Sequence, residues 1–136
     1  MRRLLLLVML LASPVASAQP GTDAGAAAES VVKQLEAFRR GDFDAAYTFA
    51  AAAIKERFDR REFERMVTDG YPEIARSTLA SVARAELASN GNAYVHVRVQ
   101  GANGNSVEAL YEMVWEDDAW KVNAVVTWSG QPQRIM

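Results

Sequence analysis

The sequence predicts an α+β fold in which three N-terminal helices pack on one face of a curved four-stranded antiparallel meander sheet. Apolar residues recur at helical spacing as far as Gly70, whereas beyond Pro72 they alternate with polar residues in four runs. Short turn-forming segments separate these runs, and strands joined by such short connections are antiparallel. Helices that precede an antiparallel sheet are typical of the α+β class.

Residues 1–18 predict a secretory signal peptide. Arg2 and Arg3 precede an apolar run from Leu4 to Ala12, and Ala16-Ser17-Ala18 supplies the small residues of a cleavage site. The apolar run is too short to span a hydrocarbon core of about 30 Å. We therefore expect cleavage after Ala18 and a periplasmic or secreted protein without a membrane anchor.

The composition of the remaining chain excludes several classes of function. Cleavage leaves residues 19–136 with 13 basic and 17 acidic side chains, which is a net charge of −4. This mild acidity disfavours nucleic acids and anionic membranes as partners, because both require clustered Lys and Arg. Since the chain has no cysteine, it can have no disulfide, no thiol chemistry and no cysteine-based zinc site.

The mature chain is predicted to be one domain with a short flexible segment at either end. Residues 19–28 are rich in Gly, Ala and Pro and predict a disordered leader. The domain itself should cover residues 29–128, and residues 129–136 should form a C-terminal tail. The first helix carries Val31, Leu35 and Phe38 on one face and should end at Gly41.

The next two helices are predicted from their capping residues. Asp42 should cap a helix with Phe43, Ala46, Tyr47 and Ala50 on one side, in which the run Ala50 to Ala53 lets a neighbour approach closely. Asp59 and Glu62 resemble a capping box at the start of the third helix.

Gly70-Tyr71-Pro72 should end the third helix. Glycine can adopt the left-handed conformation that follows many helices, and proline favours an extended residue before it. We expect Gly70 to be left-handed, and Tyr71 to link the helices to the first strand.

The four predicted strands are Ser77 to Leu87, Ala93 to Gln100, Val107 to Trp115 and Trp120 to Trp128. Alternation assigns an inner face to one set of residues in each strand: Leu79, Ser81, Ala83, Ala85 and Leu87; Val95, Val97 and Val99; Val107, Ala109, Tyr111, Met113 and Trp115; and Trp120, Val122, Ala124, Val126 and Trp128.

The connections between strands predict the register. Trp115 should pair with Trp120 across a two-residue Asp117-Asp118 turn, and Leu87 with Val95 across Asn90-Gly91-Asn92. An odd-length loop centred near Asn103 would pair Arg98 with Glu108.

Three segments, GDFDAAYTFAAAAIKERF, FERMVTDGYP and LYEMVWEDDAWKV, resemble the uncharacterised bacterial domain-of-unknown-function family 4864. The resemblance extends from about Ser30 to Val126. It implies a nuclear transport factor 2-like fold, which is a cone in which a curved sheet wraps helices and often encloses a pocket. Many members of that superfold dimerise through the sheet, so the resemblance also implies a possible homodimer.

Little catalytic chemistry is available to such a cone. Isomerases and lyases of the superfold generally use an Asp or a His-Asp pair inside the cone, but the inner faces assigned above contain no Asp, Glu or His. His96, the single histidine, belongs to the outer face beside Arg98. We expect no metal, because one histidine without cysteine leaves only carboxylates, and no cofactor, because no phosphate-binding glycine loop is present.

Five aromatic residues are the candidates for lining an apolar pocket: Tyr47, Tyr71, Tyr111, Trp115 and Trp128. The alternative is that their rings fill the core. We therefore expect an exported, non-catalytic domain that binds a small apolar ligand or a protein partner. The competing hypothesis is a lyase or isomerase whose base is a helix carboxylate such as Asp44, Glu56 or Asp69, and it requires a buried acid beside Tyr47 or Tyr71.

Overall fold

The computed structural model describes residues 23–129, and they form the predicted α+β fold. The helices are α1 (Ala24–Arg39), α2 (Phe43–Thr48), α3 (Ala52–Arg57), α4 (Arg60–Gly70) and α5 (Pro72–Ala75). The strands are β1 (Ser77–Leu87), β2 (Ala93–Gly101), β3 (Ser106–Glu116) and β4 (Ala119–Ser129). They form one antiparallel sheet in the order β1-β2-β3-β4, which is the predicted meander. The predicted signal peptide and residues 130–136 of the tail lie outside the described residues.

Helix α1 starts earlier than the sequence predicts. Asp23 caps it by accepting a hydrogen bond of 2.7 Å from the Ala26 amide, so residues 24–28, which were assigned to the leader, are helical. The predicted stripe is confirmed, because Val31 and its neighbours on that face are buried. The predicted end is also confirmed, since Gly41 follows the helix with a φ of 70°.

The single helix predicted after Asp42 is two short helices. Asp42 caps α2 as expected, but this helix ends at Thr48, and Ala50 forms a parallel bridge with Val122 of β4. The Ala51 amide donates to the Val122 carbonyl (2.8 Å), and the Val122 amide donates to the Phe49 carbonyl (2.7 Å). Backbone groups that a continuous helix would satisfy internally are therefore satisfied by the edge of the sheet. The small alanine side chains permit this approach.

The end of α4 differs from the prediction. The capping box of Asp59 and Glu62 at its start is present, but Gly70 is its last residue and is not left-handed. Pro72 is the first residue of α5, a position that proline accepts because its missing amide would have no helical partner there. The chain thus makes one more helical turn before β1 instead of entering the strand directly.

The register of the two later hairpins is confirmed. Arg98 pairs with Glu108 across a loop centred on Asn103, and Trp115 pairs with Trp120. Asp117 and Asp118 both have positive φ, of 52° and 57°, as a two-residue type I′ turn requires.

The predicted register of the first hairpin is wrong by two residues. Leu87 pairs with Ala93 rather than with Val95, because the connecting loop of residues 88–92 is centred on Asn90 and not on Gly91. Ala88 closes this loop by donating its amide to the Asn92 carbonyl at 2.8 Å. The loop is thus longer than the three residues assumed.

A bulge in β4 changes which of its residues face the helices. Glu112 pairs with Ala124 and Met113 with Val122, so Asn123 is an extra residue in β4. Trp120 and Val122 are buried on the inner face as predicted. The prediction is wrong for the rest of the strand: Ala124, Val126 and Trp128 lie on the outer face, and Val125 and Thr127 take the inner positions.

Two register shifts in β1 similarly alter its faces. Its residues opposite Val99, Val97 and Val95 are Ala80, Val82 and Ala85, so the predicted inner position is wrong for Leu79 and Ser81. Ala83 lies at the second register shift and has no partner in β2. The inner faces of β2 and β3 are confirmed by the complete burial of the residues at their centres, Val95, Val97, Val99, Ala109, Tyr111 and Met113. Among the described residues, no helix is both long and apolar enough to cross a membrane.

Candidate functional site

A cavity of about 280 Å³ lies where the helices face β3 and β4. Its wall is mostly apolar and comes from α1, from the chain between Ala50 and Phe58, from α4 and α5, and from the two strands. The apolar lining residues are Phe38, Ala50, Ile54, Phe58, Phe63, Met66, Val67, Ile74, Val122, Ala124 and Val125. Ligand pockets in proteins are typically apolar clefts with a few polar groups that orient the ligand, so the polar groups of this wall decide what it can hold.

Tyr111 of β3 contributes a polar group without a partner. Its side chain lines the cavity and is fully buried, and its hydroxyl makes no hydrogen bond to any described residue. Burial raises the pKa of the Tyr111 hydroxyl, so this group is neutral and can donate a proton in a hydrogen bond. Buried polar groups are nearly always hydrogen-bonded, and one that is not costs free energy.

Three other polar residues of the wall are satisfied by the fold itself, and one of them, Asn123, donates from Nδ2 to Glu112 Oε1 at 2.8 Å. Gln34 of α1 is 3% exposed and donates from Nε2 to the Ala46 carbonyl at 3.1 Å. Tyr71 donates from its hydroxyl to the Val125 carbonyl at 3.2 Å. Tyr71 therefore ties the junction of α4 and α5 to β4, beside the bulge, while its ring forms part of the cavity wall.

The cavity wall contains no Asp, Glu or His among the residues that the structure describes. The lyase or isomerase hypothesis requires a buried carboxylate beside Tyr47 or Tyr71, but the buried acid among residues 23–129 is Glu108, which lies on the outer face of the sheet. Within the same residues, no group of three His, Asp or Glu side chains is arranged to hold a metal ion. The charged side chain of the wall is Arg57, at the end of α3.

The five aromatic candidates are divided between four places. Tyr71 and Tyr111 line the cavity. Tyr47 lies behind its wall, where its hydroxyl donates to the Phe58 carbonyl at 2.6 Å and its ring packs on Phe63. Trp115 is 38% exposed at the end of β3 and packs edge-on against Trp120, outside the lining. Trp128 is on the outer face of the sheet, as the bulge in β4 requires.

Sequence reasoning missed several lining residues, of which Gln34 could have been found. Gln34 lies three residues after Val31 and four before Phe38, so it is a polar residue inside the apolar stripe of α1. A polar group at such a position must find a partner in the core or a role in a site. Arg57 carries no comparable signal, because charged residues near the end of a helix are common.

The outer face of the sheet holds a polar cluster around Glu108. This residue is 7% exposed, and its carboxylate accepts a hydrogen bond from Arg98 Nε (2.8 Å) and lies 2.7 Å from His96 Nε2. The hydrogen bond from Arg98, with a smaller contribution from His96, lowers the pKa of the Glu108 carboxyl. The Trp128 ring stacks on His96 with centroids 5.6 Å apart. His96 thus lies on the predicted face, in contact with an acid and a ring.

A second cavity of about 520 Å³ lies between the end of α1, α4 and the start of β1. Phe38 borders both cavities. Here Arg39 donates to the carbonyl and hydroxyl oxygens of Ser77, at 3.1 and 3.0 Å. No buried side-chain atom of its described lining lacks a hydrogen-bond partner. This cavity therefore offers a ligand no buried polar group comparable to the Tyr111 hydroxyl.

Comparisons with known proteins give a family and a fold. The model of a family described as "Domain of unknown function (DUF4864)" matches residues 22–135. The structure is similar to the crystal structure of an NTF2-like protein of unknown function from Shewanella baltica OS155, with a TM-score of 0.55 and 14% sequence identity. The similarity covers 79% of this chain and 94% of that one. No curated protein matches the sequence.

Proposed function

The chain belongs to the DUF4864 family, and from the geometry of its cavity we propose that it binds a small, mainly apolar molecule that carries a hydrogen-bond acceptor. The observation that carries this proposal is the fully buried Tyr111 hydroxyl, which has no partner among the described residues. A ligand carbonyl or ether oxygen would accept its proton. The apolar wall would supply the remaining affinity by removing the body of the ligand from water.

The binding proposal predicts opposite effects of Tyr111→Phe on stability and on binding. We expect the free energy of unfolding to rise by about 1 kcal/mol, because the substitution removes a buried hydroxyl that has no partner. Binding of 2-octanone, an apolar molecule with one acceptor, should weaken by about tenfold, since about 1.4 kcal/mol of hydrogen-bond energy is lost. Urea unfolding measures the first effect, and two-dimensional amide NMR titration measures the second.

Met66→Trp is the matched control for this experiment. Met66 is a half-buried lining residue, so an indole there should fill the cavity and abolish binding without touching the Tyr111 hydroxyl, whereas Met66→Leu should leave binding intact. If 2-octanone does not bind the unaltered chain, or binds the Met66→Trp variant equally well, the cavity is not a binding site and the proposal fails.

A second candidate function is self-association through the outer face of the sheet. This face presents four exposed apolar side chains, Leu79, Leu110, Val126 and Trp128, with exposed fractions of 63%, 37%, 61% and 45%. Leu110 and Val126 are directly opposite each other on β3 and β4. The charges of Arg98 and Glu108 are paired within the face, where Glu108 also contacts His96, so a second copy of the chain would meet apolar surface without strong repulsion.

Self-association predicts a homodimer that one charge can dissociate. Val126→Asp should raise the dimer dissociation constant by about tenfold or more, since a charge would be buried against an apolar surface. Leu87→Asp is the control, because Leu87 is similarly exposed at 53% but lies on the other side of the sheet. Analytical ultracentrifugation that finds only monomer in the unaltered chain at high concentration would exclude the dimer.

We also propose that the protein acts outside the cytoplasm after its first eighteen residues are removed. The order of basic, apolar and small residues at its start supports this proposal. The intact mass of the protein recovered from a bacterial periplasm should correspond to a chain that begins at Gln19. A recovered chain that retains Met1 would contradict it.

A further inference from the structure

Arg57 lies at the mouth of the cavity. It is the last residue of α3, it is exposed, and it forms part of the lining. Its guanidinium carbon is 5.4 Å from the centroid of the Phe58 ring, which also lines the cavity. Arginine is attracted to the face of an aromatic ring at such a distance. The guanidinium is therefore held over the apolar wall, where it can meet a bound molecule.

Arg57 forms no ion pair with any acid that the structure describes. Arg60, three residues further along, forms ion pairs with Asp44 and Glu64, but Arg57 forms none within residues 23–129. The lining also contributes no carboxylate. The charged side chain that the described lining presents is thus positive, in a chain whose formal net charge is −2.

The two polar groups lie at different depths. Tyr111 is fully buried and Arg57 is exposed, and the wall that both residues share is mostly apolar. A molecule that satisfies both groups needs an acceptor at its inner end, an apolar body, and an anionic group at its outer end. The volume of about 280 Å³ is near the lower limit of ligand pockets, which range from about 300 to 1,000 Å³, so the molecule is small.

We infer that the ligand is a short aliphatic carboxylate with an oxo or hydroxyl group near its other end. This inference rests on the proposed binding function and specifies its ligand. The planar guanidinium of Arg57 matches the two oxygens of a carboxylate. The Tyr111 hydroxyl donates to the oxo or hydroxyl oxygen. The apolar wall accommodates the chain between them and excludes water from it.

Three probes with the same chain length test the contributions of Arg57 and Tyr111 separately. They are 7-oxooctanoate, which carries both groups, 2-octanone, which lacks the carboxylate, and octanoate, which lacks the ketone. Because an ion pair at an exposed position contributes modestly, 7-oxooctanoate should bind about threefold more tightly than 2-octanone. It should also bind more tightly than octanoate, and that difference should disappear in the Tyr111→Phe variant. Amide NMR titration gives the dissociation constants.

Substitution of Arg57 tests the proposed interaction of its guanidinium with the ligand carboxylate. In the Arg57→Gln variant, the dissociation constants of 7-oxooctanoate and 2-octanone should become equal, so that the threefold advantage of the carboxylate is lost. Lys55→Gln is the matched control: Lys55 is a second cation on α3, its ammonium lies over the Tyr47 ring at 5.4 Å, and it is not part of the lining. This variant should keep the advantage. In the unaltered chain, added salt at about 0.5 M should reduce the advantage of 7-oxooctanoate over 2-octanone, because salt screens exposed charges.

The outcomes distinguish this inference from the proposed function. If 2-octanone binds and 7-oxooctanoate binds no more tightly, or if Arg57→Gln keeps the advantage, the carboxylate inference is wrong and the cavity remains a binding site for neutral molecules. If none of the three probes binds, the binding function itself is wrong, and the inference fails with it.

Discussion

Gly101→Ala is expected to lower the free energy of unfolding by about 2 kcal/mol, because the added methyl group has no room. A Cβ atom at this position would lie 2.8 Å from Asn103 Oδ1 and 2.9 Å from the Glu73 Cα atom of α5. The second contact is with backbone, so relief requires α5 to move away from the end of β2. That movement would strain the hydrogen bond of 2.8 Å from the Ala102 amide to the Arg76 carbonyl.

Gly70→Ala is the control for this prediction and is expected to have the opposite sign. Gly70 is the last residue of α4, its φ is not positive, and a Cβ atom there would have no neighbour within 4 Å. Alanine should therefore raise the free energy of unfolding by about 0.5 kcal/mol or more, because it restricts the unfolded chain without strain in the folded one. Urea unfolding followed by the fluorescence of the three tryptophans measures both variants.

The pair of glycines decides between the sequence prediction and the structure. If Gly70 were left-handed, as its place before Tyr71-Pro72 suggests, alanine would destabilise the protein there. A loss of stability in Gly70→Ala, or none in Gly101→Ala, would contradict the described path of the chain from α4 through α5 to β1.

The parts of the fold that the sequence predicted correctly depend on local interactions. The cap at Asp42, the capping box at Asp59, and the Asp117-Asp118 turn each involve residues a few positions apart. The pairing of Arg98 with Glu108 followed from the length of one loop and the alternation of two strands. Such features are encoded in short segments, so they can be inferred before the tertiary structure is known.

The bulge in β4 could not be inferred in this way. Val122, Ala124 and Val126 alternate without a break, but Val125 is an equally apolar residue of the other register. Either register buries an apolar side chain, so the pattern does not specify which one continues. The register shift of β4 against Glu112 and Met113 of β3 decides which of its residues face the helices. It places Trp128 on the outer face instead of the predicted inner face.

The candidate site was predictable only in part, for a related reason. Tyr71 and Tyr111 were found because aromatic residues at the helix–sheet junction and on an inner strand face point toward a cone interior. The position of the cavity, away from Tyr47 and Trp115, depends on how the chain between α2 and α3 docks on β4. That docking joins residues about seventy positions apart and carries no local signal beyond small side chains.

Ala51→Pro is expected to lower the free energy of unfolding by about 3 kcal/mol, because proline has no amide to donate. The Ala51 amide donates to the Val122 carbonyl at 2.8 Å, and the proline ring would occupy the position of that hydrogen bond. Ala51 has a φ of −66°, which proline adopts without strain, so the loss would report on the contact with β4. The same substitution should weaken the binding of 2-octanone, since Ala50 and Val122 both line the cavity.

Ala53→Pro provides the matched control two residues further along. Ala53 is exposed and is the second residue of α3, where the amide has no helical acceptor and proline removes no helical hydrogen bond. We expect its stability and its affinity for 2-octanone to be close to those of the unaltered chain. If the two proline variants unfold at the same urea concentration, the segment from Phe49 to Ala51 is not docked on β4. The wall of the cavity would then be open on that side. The proposed binding site, which depends on the contact of Ala50 with Val122 at the break between α2 and α3, would not form.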